Sequence, residues 1–262
     1  MRPRFRNAFI TFVPPLLLAG CAGTEIGAES PAPEPSPPAP VTDSPQVMEP
    51  AVEWVAVFPG VRINRAIRAV EFEGTVPLDA HNPETPDVYL EVLVCIPDSK
   101  EHESLVVTDA KPSHIHASLL LLGYEPGEPG VWSWSDGRAV LTPPTGSALD
   151  VRFIVGSRDE RATDWIMAIN DEVTSNLIAP DQPGWRFAGS KLRDFRGERV
   201  YDADRRGVLV GLHTFGGETV GLTRVMSPEA SNEEPIWLAN PERVPDYGTP
   251  VTVRLMAWPD DE

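Results

Sequence analysis

The chain has 262 residues, 41% of them hydrophobic, with 22 basic against 39 acidic side chains and a formal charge of −17. That hydrophobic share is enough for a core, which excludes disorder along the whole length. The charge excludes a nucleic-acid partner, whose affinity rests on Lys and Arg neutralising phosphates, and excludes docking on an anionic leaflet by charge alone.

The first element is a targeting signal. Residues 1–7 carry Arg2, Arg4 and Arg6 and no acid, and the apolar run Ala8–Leu18 is broken by Pro14-Pro15. That run is too short to span a bilayer as a helix and reads as a secretory signal over residues 1–20. Leu18-Ala19-Gly20-Cys21 closes it and resembles the lipobox of bacterial lipoproteins. The resemblance implies that Cys21 is diacylated on sulfur, becomes the new N-terminus and is then N-acylated. Several acyl chains at about 0.8 kcal/mol per buried methylene anchor stably where one does not. An ordinary signal with a chance Cys is the competing reading. Ala22 in place of Asp implies the outer rather than the inner membrane in a diderm cell, on its periplasmic or surface face.

Residues 21–50 are expected to be the lipidated Cys and a tether. Eight prolines fall between Pro31 and Pro50, no apolar periodicity runs through the stretch, and Glu25, Glu29, Glu34 and Asp43 punctuate it. Proline-rich chain favours extended polyproline II at about 3.1 Å per residue, which suits a spacer next to an anchor better than a ligand for an SH3-like partner.

Residues 51–262 are expected to form a single mainly β domain, a β-rich α+β fold of antiparallel sheets in a sandwich-like arrangement. Strands are predicted at Val61–Asn64, Ala69–Thr75, Val88–Ile96, Leu105–Thr108, Leu149–Val155, Trp185–Ser190, Val208–His213 and Val251–Trp258, separated by Pro, Gly, Asp and Asn clusters. One short helix is predicted at about 111–122: Pro112 suits its first turn, Gly123 its C′ position, and Ile115, Leu119 and Leu122 fall on one stripe. Arg161–Ile169 reads as a second helix or as a strand.

The residues that carry chemistry cluster around the third and fourth of these strands. Strand alternation sets Glu91, Leu93 and Cys95 on one face, the following turn holds Lys100, His102 and Glu103, and the helix brings His114 and His116. Thiolate, imidazole and carboxylate are ligands of zinc or copper, and Cys beside His can be an activated nucleophile. The spacings match no metal motif, and a lone buried Cys behaves as a small hydrophobe, so packing is the favoured reading. Elsewhere the signals are weaker. Asp202–Gly207 lacks the twelfth-position acid of a calcium loop and reads as a hairpin turn. Trp132, Trp134, Trp185 and Trp237 read as core or loop plugs ahead of a sugar-binding platform. No G-x-S-x-G elbow and no phosphate-binding loop are present.

Lys100-Glu101-His102-Glu103-Ser104 and His116–Gly127 (HASLLLLGYEPG) resemble the signature of the YdjY-like domain family, and Trp185–Leu192 (WRFAGSKL) and Tyr201–Leu212 (YDADRRGVLVGL) are similar to its downstream blocks. The resemblance covers roughly residues 60–220. It implies a secreted bacterial domain of no established activity and singles out Glu91, Cys95, Lys100, His102, Glu103 and His116. Some members are labelled ferredoxin-like. An iron–sulfur cubane takes about four cysteines, and one free Cys remains here, so no iron–sulfur cluster is expected.

The expectation is therefore a lipid-anchored cell-envelope protein with a non-catalytic binding or structural role. Its partners would be the membrane, through the anchor, and an envelope protein or glycan, with no cofactor. The alternative is a metal- or thiol-dependent site, with a zinc or copper ion, built from Cys95, His102, Glu103 and His116.

Overall fold

The structure is a computed structural model that describes residues 53–84, 87–169, 182–229, 231–232 and 236–259. The signal segment, Cys21 and the tether lie outside the described residues. The described residues belong to one compact unit, Met48–Glu262.

The chain is mainly β. Its first strands are β1 (Val55–Phe58), β2 (Val61–Asn64), β3 (Ala69–Thr75), β4 (Val92–Cys95) and β5 (Ser104–Val107), followed by helix α1 (Pro112–Leu121). Next come β6 (Val131–Ser135), β7 (Arg138–Thr142), β8 (Ala148–Val155), β9 (Arg158–Arg161), β10 (Ile166–Ala168), β11 (Trp185–Phe187), β12 (Leu192–Phe195) and β13 (Glu198–Tyr201). The one-turn helix Asp202–Arg206 precedes β14 (Val208–Gly211), β15 (Val220–Leu222), β16 (Trp237–Ala239) and β17 (Pro250–Ala257).

The sandwich expectation is corrected by the sheet itself. Eight strands in the order β3-β17-β8-β11-β15-β14-β4-β5 close on themselves, because Thr75 of β3 pairs with Val107 of β5. Closure removes the open edges that a sandwich would leave. The alternating strands of a closed and an open sheet read alike in sequence, so the one pairing that joins the ends is what distinguishes them. The antiparallel expectation also needs correction at two places. β4 runs parallel to β5, and β14 parallel to β15. Parallel neighbours usually need a crossover of about a dozen residues or more. Here residues 96–103 and 212–219 suffice, and each loop satisfies its own amides with a glutamate. Glu101 accepts from the N–H groups of Asp98 at 2.5 Å and Ser99 at 2.9 Å, and Glu218 accepts from Gly217 N–H at 3.0 Å.

The core follows from alternation. β17 buries Val251, Val253 and Leu255 completely and leaves Thr252, Arg254 and Met256 partly exposed. Trp165, Trp185, Trp237, Phe72, Phe153 and Phe187 are among its largest buried side chains. Trp185 and Trp237 are therefore core residues. Trp132 and Trp134 lie in the separate β6–β7 hairpin, edge to face at 5.3 Å.

α1 forms where the sequence places it, over Pro112–Leu121, with Ile115 and Leu119 fully buried and Gly123 in the left-handed region at φ 78°. Arg161–Ile169 resolves into a 3-10 turn, Ala162–Trp165, followed by β10. Asp202–Gly207, expected as a hairpin turn, is a one-turn helix ended by Gly207 at φ 80°. Its Asp202 is fully buried and bridges Arg193, Arg205 and Arg206 at 2.8–3.0 Å. No helix among the described residues is long and apolar enough to cross a membrane.

Outside the barrel wall, a row of charge crosses five strands. Arg62 (β2), Glu71 (β3), Arg254 (β17), Arg152 (β8) and Arg161 (β9) are successive cross-strand partners. Glu71, only 2% exposed, accepts from Arg62 and Arg254, while Asp159 joins Arg254 to Arg152. Trp54 covers one end, lying against the guanidinium groups of Arg62 and Arg254.

Candidate functional site

The six residues expected to form one cluster fall into three places. Glu91, Lys100 and Glu103 do come together. The Lys100 ammonium donates to Glu91 Oε2 at 2.9 Å and to Glu103 Oε1, and lies 4.9 Å from the Phe215 ring centroid. The first crossover loop sets this geometry by returning the chain from the end of β4 to the start of β5. Burial works against the Lys100 charge, but Glu103 and Glu91 outweigh it and hold the ammonium above its ordinary pKa. His102 stands at the rim with its side chain 79% exposed and Nε2 3.8 Å from Glu103. This is a half-buried ion triad in which one ammonium bridges two carboxylates.

Cys95 is elsewhere. It is fully buried in a small apolar cluster with Val92 and Val208, apart from the main core that holds Leu93 and Val94. The predicted face shared by Glu91, Leu93 and Cys95 is broken because β4 and β14 pair with register irregularities between Val208, Val210 and Gly211. Burial pushes the Cys95 thiol above its ordinary pKa, with Ser104 and Ser99 opposing. A buried thiol held protonated is a poor nucleophile.

His116 occupies a third place, in a cleft of about 300 Å³ between the first turns of α1 and the segment that leads into the β12–β13 hairpin. Ser113 and His116 line it from α1, Gly189–Leu192 from the facing segment, and Tyr201 from the end of β13. His102 lines a different depression, beside Asp79 and Tyr89. Among the described residues no group of three or more His, Cys, Asp and Glu side chains is placed to hold a metal ion.

The His116 cleft is tightly wired. The Tyr201 hydroxyl donates to the Gly189 carbonyl at 3.0 Å. A carbonyl can only accept, so the single phenolic proton is committed there. His116 Nδ1, 3.0 Å from the same phenol oxygen, must then be the donor, as must the Thr219 hydroxyl at 3.2 Å. This bookkeeping assigns the His116 proton to Nδ1 and leaves Nε2 a bare lone pair. Burial lowers the His116 pKa, with the Gly189 carbonyl opposing, and so favours the neutral ring. The Tyr201 phenol is pushed far up by burial. Phe187 packs edge to face on the imidazole at 4.9 Å. Ser190, in the left-handed region at φ 54°, donates to the Gly217 carbonyl and accepts from Ala203 N–H. Ser113 caps the arrangement by giving both its N–H and its hydroxyl to Asp204.

Tyr201, Lys191 and Ser190 had no signal of their own in the sequence. They sit in the Trp185–Leu192 and Tyr201–Leu212 blocks, which the fold brings against His116–Gly127. No curated protein and no solved structure matches the chain. A family model for the YdjY domain matches residues 61–256, from the first residue of β2 to the penultimate residue of β17. The chain therefore belongs to the YdjY domain family.

Proposed function

We propose that this protein is a lipid-anchored cell-envelope domain that holds a ligand or partner without transforming it. The observation that carries the reading is the division of labour among its polar residues. Two groups with nucleophilic chemistry are closed off: Cys95 is enclosed, and Lys100 is held between Glu91 and Glu103, while His102 stands exposed at the rim. The His116 cleft is open and rigidly wired. Fixed polar groups around a small concave surface are what binding requires. The lipobox-like Leu18–Cys21 and the proline-rich tether support placement at a membrane surface, the outer one in a diderm cell, facing an envelope protein or glycan.

Thiol counting on the full chain, expressed in a bacterial host and purified from membranes in detergent, tests both halves. With Cys21 acylated, the native protein is expected to show no reactive thiol and the denatured protein one, from Cys95. Two thiols on denaturation would overturn the anchor. A full equivalent of zinc or copper that survives dialysis and is lost in His102→Ala would overturn the non-catalytic reading.

A further inference from the structure

We propose that the cleft between α1 and the Gly189–Leu192 segment binds a small organic acid that carries one hydrogen-bond donor on an apolar body. His116 Nε2 accepts the donor, Lys191 receives the acid, and Leu192 covers the body. The inference rests on the binding reading above and names the chemistry of its ligand.

The acceptor is set by the proton bookkeeping. Tyr201, Gly189 and Thr219 fix the proton on Nδ1, and no described group donates to Nε2. A site built to accept one hydrogen bond discriminates against a molecule that lacks the donor, because the lone pair is then desolvated without a partner. The charge preference is local. Among the residues that line the cleft, Lys191 is the one with a full charge while His116 is neutral. Asp204, which meets Ser113 of α1 from the Asp202–Arg206 helix, already accepts two hydrogen bonds from it at 2.8 and 2.6 Å. Asp202 is covered by its three arginines. Glu218, buried in the 216–219 loop, is pushed toward its protonated form by burial, and the exposed acids of this strongly anionic chain act through solvent, where their fields fall off over about 8 Å at physiological salt. The volume of about 300 Å³ suits a ligand of one ring or a short branched chain. Ser190 and Tyr201 each tie the cleft wall to the 216–219 loop, which fixes the shape of the site.

The test uses the full chain in detergent with its five histidines labelled with nitrogen-15, assigned by the signal that His116→Gln removes. Unchanged signals from the other four histidines establish that this variant folds. Long-range proton–nitrogen correlation is expected to show His116 with a proton on Nδ1 and none on Nε2. A proton on Nε2 instead would overturn the assignment and the proposal with it. The probes are 4-hydroxybenzoate, benzoate and phenol. 4-Hydroxybenzoate is expected to shift the Nε2 resonance and to bind about tenfold more tightly than either of the others, each of which lacks one contact. Lys191→Gln is expected to weaken 4-hydroxybenzoate about tenfold and leave phenol unchanged. Equal binding of benzoate, or no shift at His116 with any probe, would overturn the site. Recovery of chemically altered 4-hydroxybenzoate would overturn the non-catalytic reading while the site itself stood.

Discussion

Glu218 places a carboxylate where water scarcely reaches. The residue is 1% exposed, and burial lifts its pKa above the ordinary 4.5 although the backbone N–H groups of residues 215–218 oppose the shift. The native state therefore keeps the Glu218 proton to higher pH than the unfolded chain does. Where the native state binds more protons, stability falls as pH rises. That loss is expected from pH 4.5 upward until Glu218 ionises in the folded protein. Glu218→Gln keeps the shape and one acceptor oxygen but has nothing to titrate, so the variant is expected to lack this decline. Urea unfolding of both proteins at several pH values from about 5 to about 7 checks it. Parallel stability curves would remove Glu218 from the account. At this scale the sequence was legible where partners are close along the chain: Lys100 and Glu103 lie in one short crossover, and Glu91 just before the strand that enters it. The partner of His116 is 85 residues away, and no local pattern announces a contact of that span.

At the scale of elements, the barrel depends on a narrow seam. β3 and β5 meet at a single pair, Thr75 opposite Val107, supplemented by the Thr108 hydroxyl on the Glu73 carbonyl at 2.6 Å. Gly74 makes the approach possible. A Cβ there would stand 2.5 Å from a Val106 methyl and 2.7 Å from the Val107 carbonyl oxygen, and a backbone atom cannot give way cheaply. Gly74→Ala is expected to destabilise the domain by about 1–3 kcal/mol, the range of an overpacked interior. A denaturation midpoint equal to the wild type would show that the seam is slack. Elements with an apolar stripe or alternation, α1, β8 and β17, were readable in advance. The β6–β7 and β12–β13 hairpins were not, because β7 and β12 are exposed at every position and β6 and β13 bury no side chain fully. A strand with no buried side leaves no hydrophobic period to read.

Across the whole molecule, the arginine row makes the wall of the barrel behave as one unit. Glu71 is its keystone, nearly inaccessible and bridged at 2.8 Å by Arg62 and 2.6 Å by Arg254. Removing one partner of a buried pair leaves the other charges uncompensated, at a cost of about 3–5 kcal/mol. Both arginines retain some solvent, 46% for Arg62 and 21% for Arg254, so Glu71→Gln is expected to destabilise by about 2 kcal/mol, measured by urea unfolding. A loss below about 0.5 kcal/mol would reduce the row to surface decoration. The row was invisible in the sequence because its members lie on five strands whose register only the closed sheet fixes.

β17 is the last strand among the described residues, yet it lies between β3 and β8, pairing with both along its length. A polypeptide delivered N-terminus first would thus hold two unpaired edges until residues 250–257 arrive. Those edges are templates for joining another chain. Completion of the fold waits for residues 250–257, and a protein that lacked them would be an open, adhesive ribbon instead of a slightly shorter barrel.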